Sequence, residues 1–361
     1  MTVLRWIFAV FALLGAADKL FGGKLRLGEE FEKGIMAAGT LGLAMAGMLC
    51  MAPVIANVLA PALKAPAEAL GVDLSVLGAF IANDMGGAAV AAELAEDALL
   101  GGYNGLVVAS MLGVTLCFTI PLALRVIPKA LHGDVLLGIL CGVATIPVGC
   151  ILSGLLLGIA PGRLLWNLLP VLVAAGATCL GLWLAPKLCC RIFAGLGWAV
   201  AAIITVGLGA GAFTHITGNV LIPGLGSLGE AMEVVCDIAI ILTGVFPLIR
   251  AMSALLSRPL QAMGRLLDIN GTAMLGLVSS LANSIPTFDM AEKMDRRGLV
   301  INMAFAVSAA FVFGDHLAFT MAFDETFAFP MIAGKLVSGI CAAAVAIFVC
   351  RTKKSDKKRV E

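Results

Sequence analysis

Ala82-Asn83-Asp84-Met85-Gly86-Gly87 and Ala282-Asn283-Ser284-Ile285-Pro286 lie 200 residues apart and nearly echo each other. Each sets polar residues and helix breakers in the middle of an apolar run. At membrane depth such backbone is tolerated only where protein or a water-filled cavity covers it. Two such breaks in matching places of two halves point to a transport site at a repeat interface.

The surrounding chain is built for lipid. It is 61% hydrophobic and 13% charged, against about 25% charged in an ordinary soluble domain. Eleven apolar segments are long enough to approach a span of about 20 residues. No gap between them holds a soluble domain, so residues 1–361 read as one integral membrane domain. The first segment reads as a retained helix, with a cleaved signal peptide as the alternative. A net charge of +1 gives no reason to expect nucleic acid. No phosphate-binding loop, metalloprotease motif or nucleophile elbow is present, so the chain does not read as an enzyme. The ten cysteines sit in or beside apolar segments and read as core packing, with no metal site or cofactor expected.

Charge fixes the topology. Lys and Arg collect in short cytoplasmic loops, so the basic tail, residues 351–361, is expected in the cytoplasm. If all eleven segments cross, 14 Lys and Arg fall inside and 9 outside. If the third and ninth segments, 74–92 and 271–290, dip in and return, 20 fall inside and only Arg5, Lys64 and Arg163 outside. The expected fold is therefore an all-α polytopic membrane protein. It has about nine transmembrane helices plus two re-entrant or broken segments in an inverted repeat. The halves are 1–160 and 192–350, joined by a helix at 164–185. Gly105-Leu106-Val107-Val108-Ala109 then matches Gly298-Leu299-Val300-Ile301-Asn302.

Ionisable groups inside a bilayer are functional candidates by default. Asp84 is the sharpest, a carboxylate between Asn83 and a Met-Gly-Gly break where it would hold an ammonium or a coupling cation. Capping of a half-helix is the competing role. Asn283, Ser284 and Thr287 form the second-half counterpart, neutral groups suited to a hydroxyl, or caps around Pro286. Asp315-His316 inside the tenth segment is a candidate amine or proton site, against a purely structural pair. Asn302 and Ser308 share that segment, although an unbroken helix would present Asn302 and Asp315 on different faces. Glu32 reads as a solvated charge at the membrane interface. Lys335, near the start of the last segment, reads as a snorkelling side chain. Gly207-Leu208-Gly209-Ala210-Gly211 reads as close helix packing.

Several of these stretches resemble the ethanolamine-utilisation permease family, EutH. They are Phe31-Glu32-Lys33-Gly34-Ile35-Met36-Ala37, Asp84-Met85-Gly86-Gly87, Leu281-Ala282-Asn283-Ser284-Ile285-Pro286 and the long block from Met294-Asp295-Arg296-Arg297-Gly298 to Gly314-Asp315-His316-Leu317. The resemblance runs over nearly the whole chain, with shorter loops at 158–164 and 213–230. It implies a bacterial inner-membrane protein that admits ethanolamine, working with ethanolamine-degrading enzymes. The oligomeric state, a homo-oligomer included, is left open. The substrate is mostly an ammonium cation bearing one hydroxyl. Asp84 or Asp315 would take the ammonium, and Asn83, Asn283 or Thr287 the hydroxyl, with the cationic end against the first break. The alternative is a sodium- or proton-coupled transporter of another small amine or nucleoside-like solute.

Overall fold

The computed structural model describes residues 2–81 and 85–360; for 2, 253–263, 265, 266 and 352–360 only the backbone is described. Asn83 and Asp84 therefore lie outside the described residues. Every regular element among the described residues is helical. Helix α1 spans Thr2–Leu20 and α2 Leu27–Leu70. A 3-10 stretch, Leu74–Phe80, precedes the short α3, Gly87–Leu94. Then come α4 (Ala98–Val126), α5 (Lys129–Leu156), α6 (Pro161–Leu184), α7 (Pro186–Thr217) and α8 (Leu228–Leu267). The chain ends with α9 (Gly271–Ala282), α10 (Ile285–Asp289), α11 (Arg296–Ala309), α12 (Asp315–Asp324) and α13 (Ala328–Val360). Among the described residues seven helical stretches are long and apolar enough to cross a membrane: α2, α4, α5, α6, α7, the Leu228–Met252 part of α8, and Asp315–Arg351.

With lipid on all sides, helices associate by close packing rather than by hydrophobic exclusion, so small residues sit where they cross. A Cβ on Gly34 of α2 would strike the Thr243 backbone of α8, and one on Gly244 of α8 the Phe8 backbone of α1. Gly47 of α2 and Gly207 of α7 face each other backbone to backbone, as expected for the glycine run 207–211. The innermost side chains include Met45, Met48, Met85, Leu106 and Leu112, all fully buried.

The described parts of both break-bearing segments pack back on themselves. Gly78 abuts α3 so closely that a Cβ there would lie 2.5 Å from the Gly87 carbonyl oxygen and 2.7 Å from Ala91 N. The ends of this segment also meet: Asp97 N–H donates to Asp73 Oδ2 at 3.3 Å. In the second segment Thr287 Oγ1 donates to the Gly276 carbonyl at 2.9 Å, a contact a straight helix does not allow across 11 residues. Its ends meet too, with Asn270 Nδ2 donating to Lys293 O at 2.8 Å and Asn270 N–H to Asp295 Oδ1 at 2.7 Å.

The tenth segment differs from expectation. It is not one helix: α11 stops at Ala309, and α12 starts at Asp315. Between them Phe311 adopts φ 63°. A non-glycine residue in the left-handed region costs about 1–2 kcal/mol. Two main-chain bonds to the end of α9 offset it, Phe311 N–H to Ser280 O and Phe313 N–H to Leu281 O, both 2.9 Å. The break in α11–α12 thus packs directly on the break after α9.

Candidate functional site

The meeting of these two breaks brings part of the expected set together. Asn283 directly follows α9, and its Oδ1 accepts Ile285 N–H at 2.8 Å in a tight turn that leads into α10. Ser284 is fully buried, and its Oγ finds no hydrogen-bond partner among the described residues. A buried, unsatisfied hydroxyl is costly unless a ligand or water meets it. Asp315 opens α12, half-buried, and His316 beside it is buried. Phe313 and Gly314 fix this pair against Leu281 and Ala282, so Asn283 and Ser284 border Asp315 and His316.

Two other expected residues serve as ties. Asn302 Nδ2 donates to Ala273 O and Gly298 O, each at 2.8 Å, and joins α11 to α9. Thr287 is held by its bond to Gly276. Both are buried and on the same break-bearing segments, but their donors are committed to backbone.

Lys335 does not snorkel. It is 1% exposed, and its Nζ donates to Ser110 O at 2.6 Å and lies 3.1 Å from His316 Nδ1. Ser110 lies in a π-helical stretch of α4, Tyr103–Gly113. Such widened turns recur at functional sites. Sequence gave one usable signal, a lysine within an apolar run. It gave none for the acceptor on Ser110, more than 200 positions away.

Hydroxyls and amides lock the elements around this centre. Ser338 Oγ of α13 lies 2.7 Å from Ser308 Oγ and 3.0 Å from the Thr145 carbonyl. Tyr103 O–H donates to Cys150 O at 2.8 Å, and Ser153 O–H to Pro330 O at 2.8 Å. Asn104 Nδ2 donates to Ser75 Oγ at 2.8 Å and to Asn167 Oδ1 at 3.3 Å, while Asn167 Nδ2 returns a 2.8 Å bond to Asn104 Oδ1. This amide pair is fully buried and joins α4, α6 and the first broken segment. Asn167→Leu is expected to cost about 1–3 kcal/mol, because Asn104 Oδ1 is left buried without a donor. A lowered melting temperature in detergent, partly recovered by adding Asn104→Leu, is the expected reading.

Aromatic rings cover one side of the centre. Phe311 lies 5.0 Å from the His316 ring and meets Phe118 edge-on at 6.0 Å. Phe118 in turn lines a cavity of about 680 Å³ between α4 and α7, with Arg125 and Arg191 also on its walls.

Several charged pairs lie at helix ends. Arg5 pairs with Glu325 at 2.6 Å, Lys64 with Glu96 at 3.0 Å and Arg163 with Asp97 at 2.7 Å. The Arg163 guanidinium, helped by the Leu99 and Leu100 N–H groups, holds the Asp97 carboxyl below the usual range against a smaller burial effect. Elsewhere Lys19 pairs with Glu32 at 2.7 Å, both about half exposed. Among the described residues no cluster of three or more His, Cys, Asp or Glu is placed to hold a metal ion.

Comparison with known proteins gives the same family over the whole length. Residues 1–349 match the family model described as "Ethanolamine utilisation protein, EutH". The chain is 44% identical over 359 residues to a protein of Listeria monocytogenes serotype 1/2a named "Probable ethanolamine permease EutH", covering 99% of this chain and 96% of that one. A protein of Salmonella typhimurium with the same name is 38% identical, with 99% and 97% covered. A Bacillus subtilis protein named "Uncharacterized protein YxeR" is 38% identical, with 98% and 96% covered. No solved structure matches. A multi-pass helical chain with paired broken segments, matched end to end by these relatives, belongs to the EutH family of ethanolamine utilisation proteins.

Proposed function

We propose that the chain is an ethanolamine permease of the bacterial cytoplasmic membrane, with its site where the breaks after α9 and α11 meet. The observation that carries this reading is the pairing there of a carboxylate and imidazole, Asp315 and His316, with a buried hydroxyl that has no partner among the described residues, Ser284. Ethanolamine offers an ammonium for the first and a hydroxyl for the second. Asp84 and Asn83 would face this point from the first break, with the ammonium shared between the two acidic residues. Asn283 supplies a further amide to the hydroxyl.

The topology follows the charge count: nine crossings, two re-entrant segments, and a cytoplasmic carboxyl terminus. Ends that meet at Asp73–Asp97 and Asn270–Asp295 support the two re-entries. The three cations assigned outside, Arg5, Lys64 and Arg163, are each neutralised by Glu325, Glu96 and Asp97, acidic residues assigned to the same side.

Hydrogen bonds also support the inverted repeat. Asp97 caps the start of the first-half crossing, and Asn104 reaches back 29 residues to Ser75. Asp295 caps the second-half crossing, and Asn302 reaches back 29 residues to Ala273. This register pairs Asn104 with Asn302 and Ser110 with Ser308, where the sequence echo paired Gly105 with Gly298. The enzymes that degrade ethanolamine are the functional partners downstream.

Uptake into proteoliposomes with a panel of small amines tests the reading. Saturable uptake of ethanolamine, well above ethylamine and propanolamine, is expected. Equal uptake of nucleosides, or none of ethanolamine, overturns it. Dependence on a sodium gradient would favour the coupled-transporter reading instead.

A further inference from the structure

The cavity of about 680 Å³ between α4 and α7 holds none of the candidate transport residues. Its walls are one stripe from each helix. On α7, Arg191, Ala194, Trp198 and Ala201 line it, at spacings of three, four and three residues that keep to one helix face. On α4, Phe118, Leu122 and Arg125 do the same. Gly197 and Cys117 close the groove from behind, since a Cβ on Gly197 would lie 2.7 Å from the Cys117 carbonyl oxygen.

The groove is amphipathic along its length. Arg125 and Arg191 are both exposed, and among the described residues neither forms an ion pair. No acidic residue lines the cavity, and every other lining side chain is uncharged. From Arg191 to Ala201 is ten residues, about 15 Å along a helix. That is half of a hydrocarbon core of about 30 Å, the depth of one leaflet. Trp198 lies seven residues, about 10 Å, further along α7 than Arg191, and it is 74% exposed. A soluble anion would use the arginines and leave the apolar length bare. An apolar membrane helix would cover that length and leave two guanidinium groups without a counter-charge. A molecule with an anionic head and a hydrocarbon tail meets both.

We propose that this groove binds an anionic phospholipid, with the phosphodiester between Arg125 and Arg191 and one acyl chain laid between α4 and α7 past Trp198. Two guanidinium forks match the oxygens of a phosphate, and basic pockets between spanning helices take such headgroups. The charge topology proposed above assigns this end to the cytoplasmic face, where Lys129 and Lys187 also lie. The acyl chain runs inward to Phe118, whose ring meets Phe311 at 6.0 Å, and Phe311 in turn covers His316 at 5.0 Å. Occupancy of the groove therefore bears on the aromatic side of the centre, although the site itself does not depend on the permease reading.

The test uses the full-length chain carrying Trp6→Phe, Trp166→Phe and Trp183→Phe, three exposed positions, so that Trp198 alone reports. It is reconstituted with brominated phosphatidylglycerol or brominated phosphatidylcholine, and quenching of Trp198 is read against lipid fraction. An association preference for the anionic lipid of more than about fivefold is expected, the scale of one arginine beside an anionic headgroup. Arg125→Gln with Arg191→Gln should bring the two lipids to parity. Lys129→Gln with Lys187→Gln removes the same charge outside the cavity and should keep the preference. In the unaltered chain, native mass spectrometry should show a retained anionic lipid that the arginine pair of substitutions loses. Equal quenching by the two lipids, or a preference lost as fully in the lysine pair, overturns the site. Trp198 shielded from both lipids would mean that a second copy of the chain covers the groove. A preference erased by inorganic phosphate, but not by chloride of equal ionic strength, would make the arginines a free-anion site. Either outcome overturns the lipid assignment. Because binding is read without uptake, failure here leaves the permease reading standing.

Discussion

Gly314→Ala is expected to lower ethanolamine uptake by about a hundredfold, the scale on which a misplacement of about 1 Å at a site is felt. A Cβ at this position would fall on the Ala282 carbonyl oxygen, 3.0 Å from its carbon and 3.4 Å from Cα. These are backbone atoms and have no rotamer to retreat into. The two chains at this point are already tied by the Phe311–Ser280 and Phe313–Leu281 bonds, so separating them for a methyl group strains both. Overpacking of this kind costs about 1–3 kcal/mol or more. The loss therefore appears twice, as a lower melting temperature in detergent and as uptake that falls further than the folded fraction. Gly39→Ala is the control. It is an exposed helical glycine with no atom within 4 Å of the added Cβ. There, alanine should gain about 0.5–1 kcal/mol and leave uptake unchanged. Equal uptake by both variants would mean that the contact between the breaks is not part of the transport site.

The breaks that sequence reveals are those with local causes. Pro286, Gly86 and Gly87 cannot continue an apolar helix at ordinary cost, and the chain turns where they stand. The meeting of Asn270 with Asp295 follows from that turn and from ordinary capping chemistry. The break that begins at Ala310 has no such cause. Ala309-Ala310-Phe311-Val312-Phe313 is helix-compatible, and Phe311 is driven into the left-handed region by bonds to Ser280 and Leu281, some 30 residues away. The π-helical Tyr103–Gly113 is likewise a response to packing and has no sequence signature of its own. Lys335 shows the same limit. Its length and position fit snorkelling as well as burial, and only the placement of Ser110 and His316 decides between them. Local chemistry thus gives away the two polar breaks and the acidic candidates, while the break between α11 and α12 and the buried lysine depend on tertiary contacts.

Asp315→Asn separates the roles of these groups. Uptake should fall by about thirtyfold or more, since removing one partner of a desolvated charge pair costs about 2–5 kcal/mol. Asp315 is the carboxylate that opens α12 at the junction, and no other acidic residue lies between Asp295 and Asp324. The asparagine keeps the shape and hydrogen-bonding capacity but removes the charge that Asp315 offers the substrate ammonium. Ser284→Ala acts on the other end of the substrate. Its hydroxyl has no partner among the described residues, so stability should be unchanged. Only a neutral hydrogen bond worth about 0.5–1.5 kcal/mol is lost, and with it part of the preference for ethanolamine over ethylamine. The measurements are initial uptake rates at low substrate for both amines. Loss of rate for both amines in Asp315→Asn, with loss of discrimination alone in Ser284→Ala, places the ammonium at α12 and the hydroxyl at the α9 break. Normal rates in Asp315→Asn together with failure of Asp84→Asn would move the ammonium to the first break and leave Asp315 as the partner of the resident lysine alone.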